Sequence, residues 1–363
     1  MNHIIIVGGG AIGMLTALEC ASAGMQVTVF ERGETGRESS WAGGGIVSPL
    51  FPWRYLDSVT RLASWSQQAY PGLIDQLARD AGTDPEYTPS GLILIAPDEI
   101  EQARAWAGRH GRVVEQIDAA TFAELEPEAA EPVDDALWMP TVGQVRNPRM
   151  VQALRTRLEQ LGVSIRPQSP VGSLLRDGDR CIGVRSATGD TRGDAVIVCA
   201  GAWSAGLLSD LPAPPAIEPV RGQMLLFRAR PGTITRMVLE QNRYVIPRRD
   251  GRTLFGSTIE YAGFEKQTTD AARDELFEIA TTRFPVLKNA EVEAHWAGLR
   301  PSSPAGVPYI GRHPEIAGLY VNAGHFRNGI VLGPASARLV TDLVLGREPI
   351  VDPTPYGWTA ARG

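Results

Sequence analysis

Ile4-Ile5-Ile6-Val7-Gly8-Gly9-Gly10-Ala11-Ile12-Gly13, close to the start of the chain, decides the fold. An apolar run with strand character meets Gly8-x-Gly10-x-x-Gly13. Residues 12–23 then read as a helix with apolar positions at Ile12, Leu15, Leu18, Cys20 and Ala21, stopped by Gly24. Residues 26–31 (QVTVFE) follow as a second strand, completing a βαβ unit in about 30 residues. In that setting the first glycine permits a tight turn and the second lets the backbone approach a pyrophosphate. The third lets helix and strand pack closely. The helix N-terminus offers unpaired N–H groups and the positive end of its dipole to phosphates. Glu31 lies eighteen residues after Gly13, where an acid accepts hydrogen bonds from ribose hydroxyls and repels a 2′-phosphate, which disfavours NADP.

Outward from this unit the pattern departs from an NAD dehydrogenase. Regular α/β alternation gives way to Gly36-Arg37-Glu38-Ser39-Ser40 and Gly43-Gly44-Gly45, a long loop rich in N–H and hydroxyl donors that suits a second contact with a longer cofactor. Residues 58–81 read as a helix ending at Gly82, 91–96 as a strand, and 97–110 and 118–125 as helices, the second capped by Asp118. Residues 148–161 are helical, with Pro148 in the first turn and Gly162 at the close. Short strands with turns at 176–179 and 188–190 lead to residues 194–199 (DAVIVC), apolar throughout as in a strand buried on both faces of a parallel sheet. Ala200-Gly201-Ala202 starts a short helix, and the Pro-rich residues 211–219 form a linker. Beyond it come antiparallel strands over 220–259 with a turn at 249–251, and a helix over 270–284 closed by Pro285. Strands near 291–299 and 318–321 lead to a last helix over 329–345.

Composition narrows the function. A chain of 363 residues has core enough for two domains at roughly 100–200 residues each. The net charge of −6 argues against a nucleic-acid partner. The longest apolar stretch, 4–18, is broken by glycines and ends at Glu19, so no spanning segment is expected; the N-terminus lacks the basic region of a signal peptide. Cys20, Cys181 and Cys199 are odd in number and widely spaced. They read as small core residues in a reducing, cytoplasmic setting, with no disulfide framework and no metal site.

The C-terminal part carries the most discriminating sequence. Trp296-Ala297-Gly298-Leu299-Arg300-Pro301 is followed by Tyr309-Ile310-Gly311 and by Ala323-Gly324-His325-Phe326-Arg327-Asn328-Gly329-Ile330, which opens the last helix. With the N-terminal GGGAIG, AVIVCAGAWS over 195–204 and YVIPR over 244–248, these motifs resemble the FAD-dependent D-amino-acid and amine oxidase family over nearly the whole chain. Within it they are similar to the glycine-oxidising branch that serves thiazole formation in thiamine synthesis. The resemblance implies an α/β fold with two parts. One is a Rossmann-like FAD-binding domain built from separated segments, 1–85, 141–215 and 297–363. The other is an inserted α+β substrate domain with an antiparallel sheet, 86–140 and 216–296.

Residue by residue, the resemblance implies that Arg300 holds a substrate carboxylate, helped by the Tyr244 hydroxyl, with Arg327 near substrate and flavin. His325, Phe326, Arg327, Asn328, Gly329, Ile330 and Val331 would line the flavin ring. Gly8, Gly10, Ala11, Ile12, Gly13, Glu31 and Arg32 would serve the ADP half. Ser39, Ser40, Gly43, Gly44 and Gly45 would meet the diphosphate and ring region, Val171 the adenine, with Gly201 in the same set. No cysteine stands in residues 301–305, which excludes the covalent flavin link that some relatives make there. His325 reads as a local structural residue, and Trp41, Trp53 and Trp203 read as packing residues. Ile259 is expected at a pocket position, and residues 46–55 as a candidate lid. The implied reaction is oxidative deamination of glycine or other small amines or D-amino acids, with dioxygen as acceptor. Peroxide, imine or keto acid, and ammonia would be the products. No general base stands out. The choice among glycine, sarcosine, D-alanine and D-proline stays open, as does assembly into a homo-oligomer. The alternative is a dehydrogenase of the same fold that passes electrons to a quinone or a protein.

Overall fold

The computed structural model describes residues 2–362. Its first sheet has six strands in the spatial order Tyr309–Arg312, Leu319–Ala323, Ala195–Val198, His3–Val7, Gln26–Phe30 and Ser164–Arg166. All neighbours are parallel except the edge strand Tyr309–Arg312. Alternate residues of the apolar runs face opposite ways, so both faces must be covered. Ile4, Ile6, Val27, Val29 and Ile197 pack under the helices Ala11–Ser22, Asp57–Ala81, Asn147–Gln160 and Gly329–Leu345. Ile5, Val7, Val196 and Val198 face a second cluster, closed by the three-stranded sheet Val171–Asp177, Arg180–Ser186 and Gly189–Arg192. The chain leaves His3–Val7 toward Gln26–Phe30 on one side and returns as Ala195–Val198 on the other. That reversal of strand order opens a crevice at the carboxyl ends of the strands.

The second sheet has eight strands: Glu291–Ser302, Glu218–Arg228, Arg252–Gly256, Arg243–Pro247, Met237–Glu240, Leu92–Ile95, Ala136–Met139 and Glu115–Ile117. It is antiparallel except where Leu92–Ile95 meets Met237–Glu240, a parallel pair. These two strands arrive from distant parts of the chain, and no hairpin dictates their relative direction. The expected division at 296/297 falls inside the unbroken strand Glu291–Ser302, which pairs with Glu218–Arg228 along its whole length. The strands Glu115–Ile117, Ala136–Met139 and Tyr309–Arg312 were not legible in the sequence; each is three or four residues long. Helix ends follow their signals. Asp118 accepts from Thr121 N at 2.8 Å, and Gly82 ends its helix at φ +65°.

The last helix, Gly329–Leu345, contains Pro334, which leaves the Ile330 carbonyl without its helical donor. Helix Asp57–Ala81 repairs this gap. The Tyr70 hydroxyl donates to Ile330 O at 2.5 Å, and Ser66 Oγ accepts from Ala335 N at 3.0 Å. Tyr70 is wholly buried, so no water can replace it. Tyr70→Phe should therefore cost about 1–3 kcal/mol, the penalty for an unpaired buried carbonyl. A lower urea midpoint at unchanged slope is expected; equal midpoints would show that the bond contributes nothing.

Candidate active site

A cavity of ≈ 570 Å³ opens at the crevice and runs between the two large sheets. At one end stands the glycine turn. A Cβ on Gly13 would lie 1.9 Å from the Gly8 carbonyl oxygen, so only glycine lets the helix Ala11–Ser22 seat against the first strand. Ser40 Oγ accepts from Ala11 N at 2.8 Å and brings the Ser39–Ala42 turn to the helix N-terminus. Glu31 is buried, with Oε2 accepting from Gly9 N at 2.8 Å and Oε1 from Gly33 N at 2.9 Å. Two loop amides thus fix the carboxylate in the cavity wall and leave lone pairs for further donors.

At the other end, register places Arg300 opposite Val220, and its guanidinium folds over Gly222. A Cβ on Gly222 would stand 2.1 Å from both terminal guanidinium nitrogens, so the space Arg300 occupies exists because position 222 is glycine. Arg300 donates to the carbonyls of Arg221 and Thr258, both at 3.2 Å, and to Ser257 Oγ at 2.5 Å. Tyr244 Oη lies 3.2 Å from the same serine oxygen. Burial holds Arg300 below its usual pKa; the Arg327 guanidinium adds to this, and Tyr244 opposes it. Among the described residues no carboxylate bonds to Arg300, because nearby Glu260 is engaged by Arg221 at 2.6 Å. A buried guanidinium with no acid opposite it is a site for an anionic ligand.

The wall between these ends contains Gly8, Gly10, Ala11, Ile12, Glu31, Arg32, Ser39, Ser40, Gly43, Gly44, Gly45, Val171, Gly201, Tyr244, Arg300, His325, Phe326, Arg327, Gly329 and Ile330. Gly13, Asn328 and Val331 are not on it: Gly13 works from behind the turn, and Asn328 and Val331 are buried beneath it. Phe326, at φ +46°, donates its N–H to Pro301 O at 2.7 Å and turns the chain into the N-terminus of Gly329–Leu345. Arg327 donates from Nη1 to Asn242 Oδ1 at 3.1 Å, while its Nη2 is buried without a partner. His325 Nε2 lies 3.0 Å from Ser336 Oγ, which itself donates to Leu332 O at 2.8 Å, so the imidazole carries its proton on Nε2. Burial pushes the His325 pKa down to about 3, leaving the ring neutral at physiological pH and anchoring the helix.

Three features differ from expectation, and a fourth carried none. Ile259 is half-buried but off the cavity wall, because the chain leaves the sheet after Gly256 and the strand alternation no longer aims it. Residues 46–55 are not a free lid. Leu50 and Phe51 are buried in the core of the second sheet, and Trp53 Nε1 and Arg54 Nε bond Glu99 at 2.5 and 2.8 Å. Trp203 does more than pack: it lines the cavity, under the Arg32 guanidinium at 3.4 Å and beside Phe264 at 5.5 Å. Arg248, quoted in YVIPR without a role, is wholly buried and donates to Gln144 Oε1 (2.6 Å), Val145 O (2.9 Å) and Gly44 O (2.7 Å). It holds the 43–45 loop against the second sheet. Burial and then Arg146 lower its pKa to about 10, so it remains a cation at neutral pH.

Residues 3–343 match the DAO family of FAD dependent oxidoreductases. The chain belongs to that family. It is 48% identical over 356 residues to a glycine oxidase of Pseudomonas aeruginosa, covering 98% of each chain. It is 30% identical over 376 residues to a bifunctional protein ThiO/ThiG of Synechocystis, covering 99% of this chain and 54% of that one. The crystal structure of a glycine oxidase from Geobacillus kaustophilus superposes with a TM-score of 0.95 at 29% identity, over all of both chains. FAD is the cofactor of this family, and the residues fit it: a glycine turn at a helix N-terminus, an amide-held acid for ribose, and a cavity long enough to reach Arg300. Among the described residues no helix is long and apolar enough to cross a membrane, and no cluster of ligating side chains is placed to hold a metal.

Gly222→Ala should push the Arg300 guanidinium aside. Acetate binding, followed as a perturbation of the flavin absorbance, is expected to weaken at least tenfold with flavin content unchanged. Undiminished binding would remove Arg300 from the anion site. His325 makes a second prediction, on stability. The folded imidazole stays neutral down to about pH 3, whereas the unfolded chain's histidine protonates near its ordinary pKa of about 6.5. The unfolded state thus binds the extra proton, and stability falls as pH drops from about 6.5 toward 4. His325→Gln should flatten that acid limb of Tm against pH; parallel curves would contradict the buried neutral ring.

Proposed function

We propose that this chain oxidises glycine and other small amines or D-amino acids, with dioxygen as the acceptor. The products are an imine or α-keto acid, ammonia and hydrogen peroxide. The observation that supports this most is the buried Arg300 guanidinium, without a carboxylate partner among the described residues and beside Tyr244, in the same cavity as the glycine turn. The sequence likeness to proteins named glycine oxidase supports the same reading.

Bound FAD supplies the two-electron acceptor. Arg300 and Tyr244 bind the carboxylate and so fix the α-carbon against the cofactor, converting an encounter into an oriented complex. Arg327 adds positive charge to the same end. N–H groups at the start of Gly329–Leu345, with the positive end of its dipole, favour negative charge on the cofactor. His325, bonded to Ser336 and kept neutral by burial, is not the base for the substrate amine, which reacts in its neutral form. Residues 301–305 offer no thiol, and FAD is held without a covalent link there. In the proposed division, 1–85, 141–215 and 297–363 hold FAD, and 86–140 with 216–296 hold the substrate. The chain acts in the cytoplasm, and its glycine imine is handed on for thiazole formation in thiamine synthesis. Its match to about half of a bifunctional relative agrees with such a hand-over.

The test is to mix the purified yellow protein in air with glycine, sarcosine, D-alanine and D-proline and follow peroxide. Peroxide from glycine is expected. Bleaching without oxygen but no peroxide in air would instead select a dehydrogenase passing electrons to another acceptor. Arg300→Ala should lower kcat/KM for glycine a hundredfold or more with flavin still bound. Near-normal kinetics would defeat the assignment.

A further inference from the structure

Residues 261–268 leave the second sheet beyond its strand Arg252–Gly256 and cross to the other side of the cavity. One side chain, the wholly buried Gln223, pins both ends of this stretch. Its Nε2 donates to Glu260 Oε1 at 2.9 Å and to Thr269 Oγ1 at 3.3 Å, and its Oε1 accepts from Thr269 N at 2.9 Å. Arg221 and Glu260 also exchange backbone bonds, both at 2.9 Å. Between the pins the chain is neither helix nor strand, and Gly263 through Thr269 are all exposed. Its tip meets residues at the carboxyl ends of two strands of the first sheet. The Phe264 ring stacks 5.5 Å from Trp203, and Lys266 Nζ donates to Glu38 Oε2 at 2.7 Å. Both of these partners also hold Arg32. The Trp203 ring lies 3.4 Å from its guanidinium, and Glu38 Oε1 accepts from its Nη2 at 3.0 Å. Phe264, Trp203, Glu38 and Arg32 line the cavity, whereas Tyr261 and Lys266 do not.

We propose that residues 261–268 are a strap that retains FAD, with Phe264 as a cofactor-binding residue and Lys266 as its latch. The inference concerns the cofactor of the family and does not depend on the substrate proposed above. Phe264 lines the cavity, yet 54% of it is exposed. Filling the cavity with a dinucleotide takes more of that apolar ring out of water, so a bound cofactor and a closed strap stabilise one another. Pinning at Gln223 limits the swing of the tip, and less conformational freedom is lost on closing than a free loop would lose. The Lys266–Glu38 pair is 39% and 31% exposed, too open to water to hold the strap alone. It adds a salt-sensitive hold to the aromatic one. Arg32 joins the two, because the indole and the carboxylate that receive the strap both fix its guanidinium. The strap therefore closes on the end of the cavity where Glu31 and Arg32 stand, away from Arg300.

The experiment is exchange of the FAD bound to the holoenzyme against an excess of isotope-labelled FAD. The cofactor retained after rapid desalting is read by mass spectrometry. Phe264→Ala should speed exchange about tenfold, an effect on the dissociation rate. Phe264→Tyr, which keeps the ring, should exchange at about the wild-type rate, within roughly twofold. Lys266→Gln should speed exchange about threefold at low salt, as suits a half-exposed pair. Raising KCl to about 0.5 M should quicken the wild type more than Lys266→Gln, in which the latch is already absent. Tyr261 is the control. It is 73% exposed on the same stretch and lies off the cavity wall, so Tyr261→Ala should leave the rate unchanged. Exchange by Phe264→Ala at about the wild-type rate, within roughly twofold, would overturn the inference, because the ring would then hold nothing. Equal acceleration by Tyr261→Ala would overturn it too, since any loosening of the loop would then suffice. The readout needs no turnover, so a failure of glycine as substrate would leave the strap standing, and a failure of the strap would leave the oxidase reading untouched.

Discussion

Arg248 is a cation with no carboxylate partner among the described residues, and the meeting of the two large sheets depends on it. Its three acceptors come from Gly44 just after the Ser39–Ala42 turn, from Val145 at the entry to a helix of the first layer, and from the Gln144 side chain. Gln144 in turn donates to Pro247 O at 2.8 Å and Ser90 Oγ at 3.1 Å, tying in two strand ends of the second sheet. A buried guanidinium is tolerated because carbonyl dipoles replace its water, and its loss would leave three buried acceptors unpaired at once. The cavity lies where these segments converge, so its width is set by a residue that faces the ligand nowhere.

The charge inside this cavity runs against that of the whole chain. The chain as a whole carries a net charge of −6, whereas the inner end of the cavity is marked by Arg300 and Arg327. Glu31 is an acid of the outer end, held there by two amide donors. An acid suited to hydroxyls at one end and unpaired cations suited to a carboxylate at the other give the cavity a direction. A long cofactor with a ribose near one end and a small anionic substrate at the other can be seated in only one sense.

What the sequence disclosed, and what it hid, follows from the range of each signal. The βαβ unit, the Asp118 cap and the start of the last helix at Gly329 are encoded within a few neighbouring residues, and the structure has them where their signals lie. The parallel contact of Leu92–Ile95 with Met237–Glu240 is encoded nowhere locally. Gly222 is an ordinary strand glycine until register brings Arg300 over it, and Ser257 is an ordinary serine until the chain turns out of the sheet after Gly256. The 46–55 segment misled because Gly43-Gly44-Gly45 precede it and Pro49 and Pro52 lie within it, although Leu50, Phe51 and Trp53 are the composition of a buried anchor rather than of a lid. Function was therefore readable at the motifs, and the supporting residues were readable only through contacts between distant segments.

The helix that closes the site shows how far such support reaches. Pro334 breaks the bond ladder one turn into Gly329–Leu345, which by itself would let the first turn swing. Three side chains bridge the break: Tyr70 on the Ile330 carbonyl, Ser66 on the Ala335 amide, and His325 on Ser336. Two of them belong to Asp57–Ala81, a helix that also packs into the core of the first layer. The N–H groups at the start of Gly329–Leu345 are consequently aimed by a neighbouring helix rather than by their own. Because an N-terminal dipole acts only within about the first turn, a small rotation there would forfeit its effect on the cofactor. Proline at 334 is compatible with function because the helix beside it carries a tyrosine and a serine one turn apart, facing the gap.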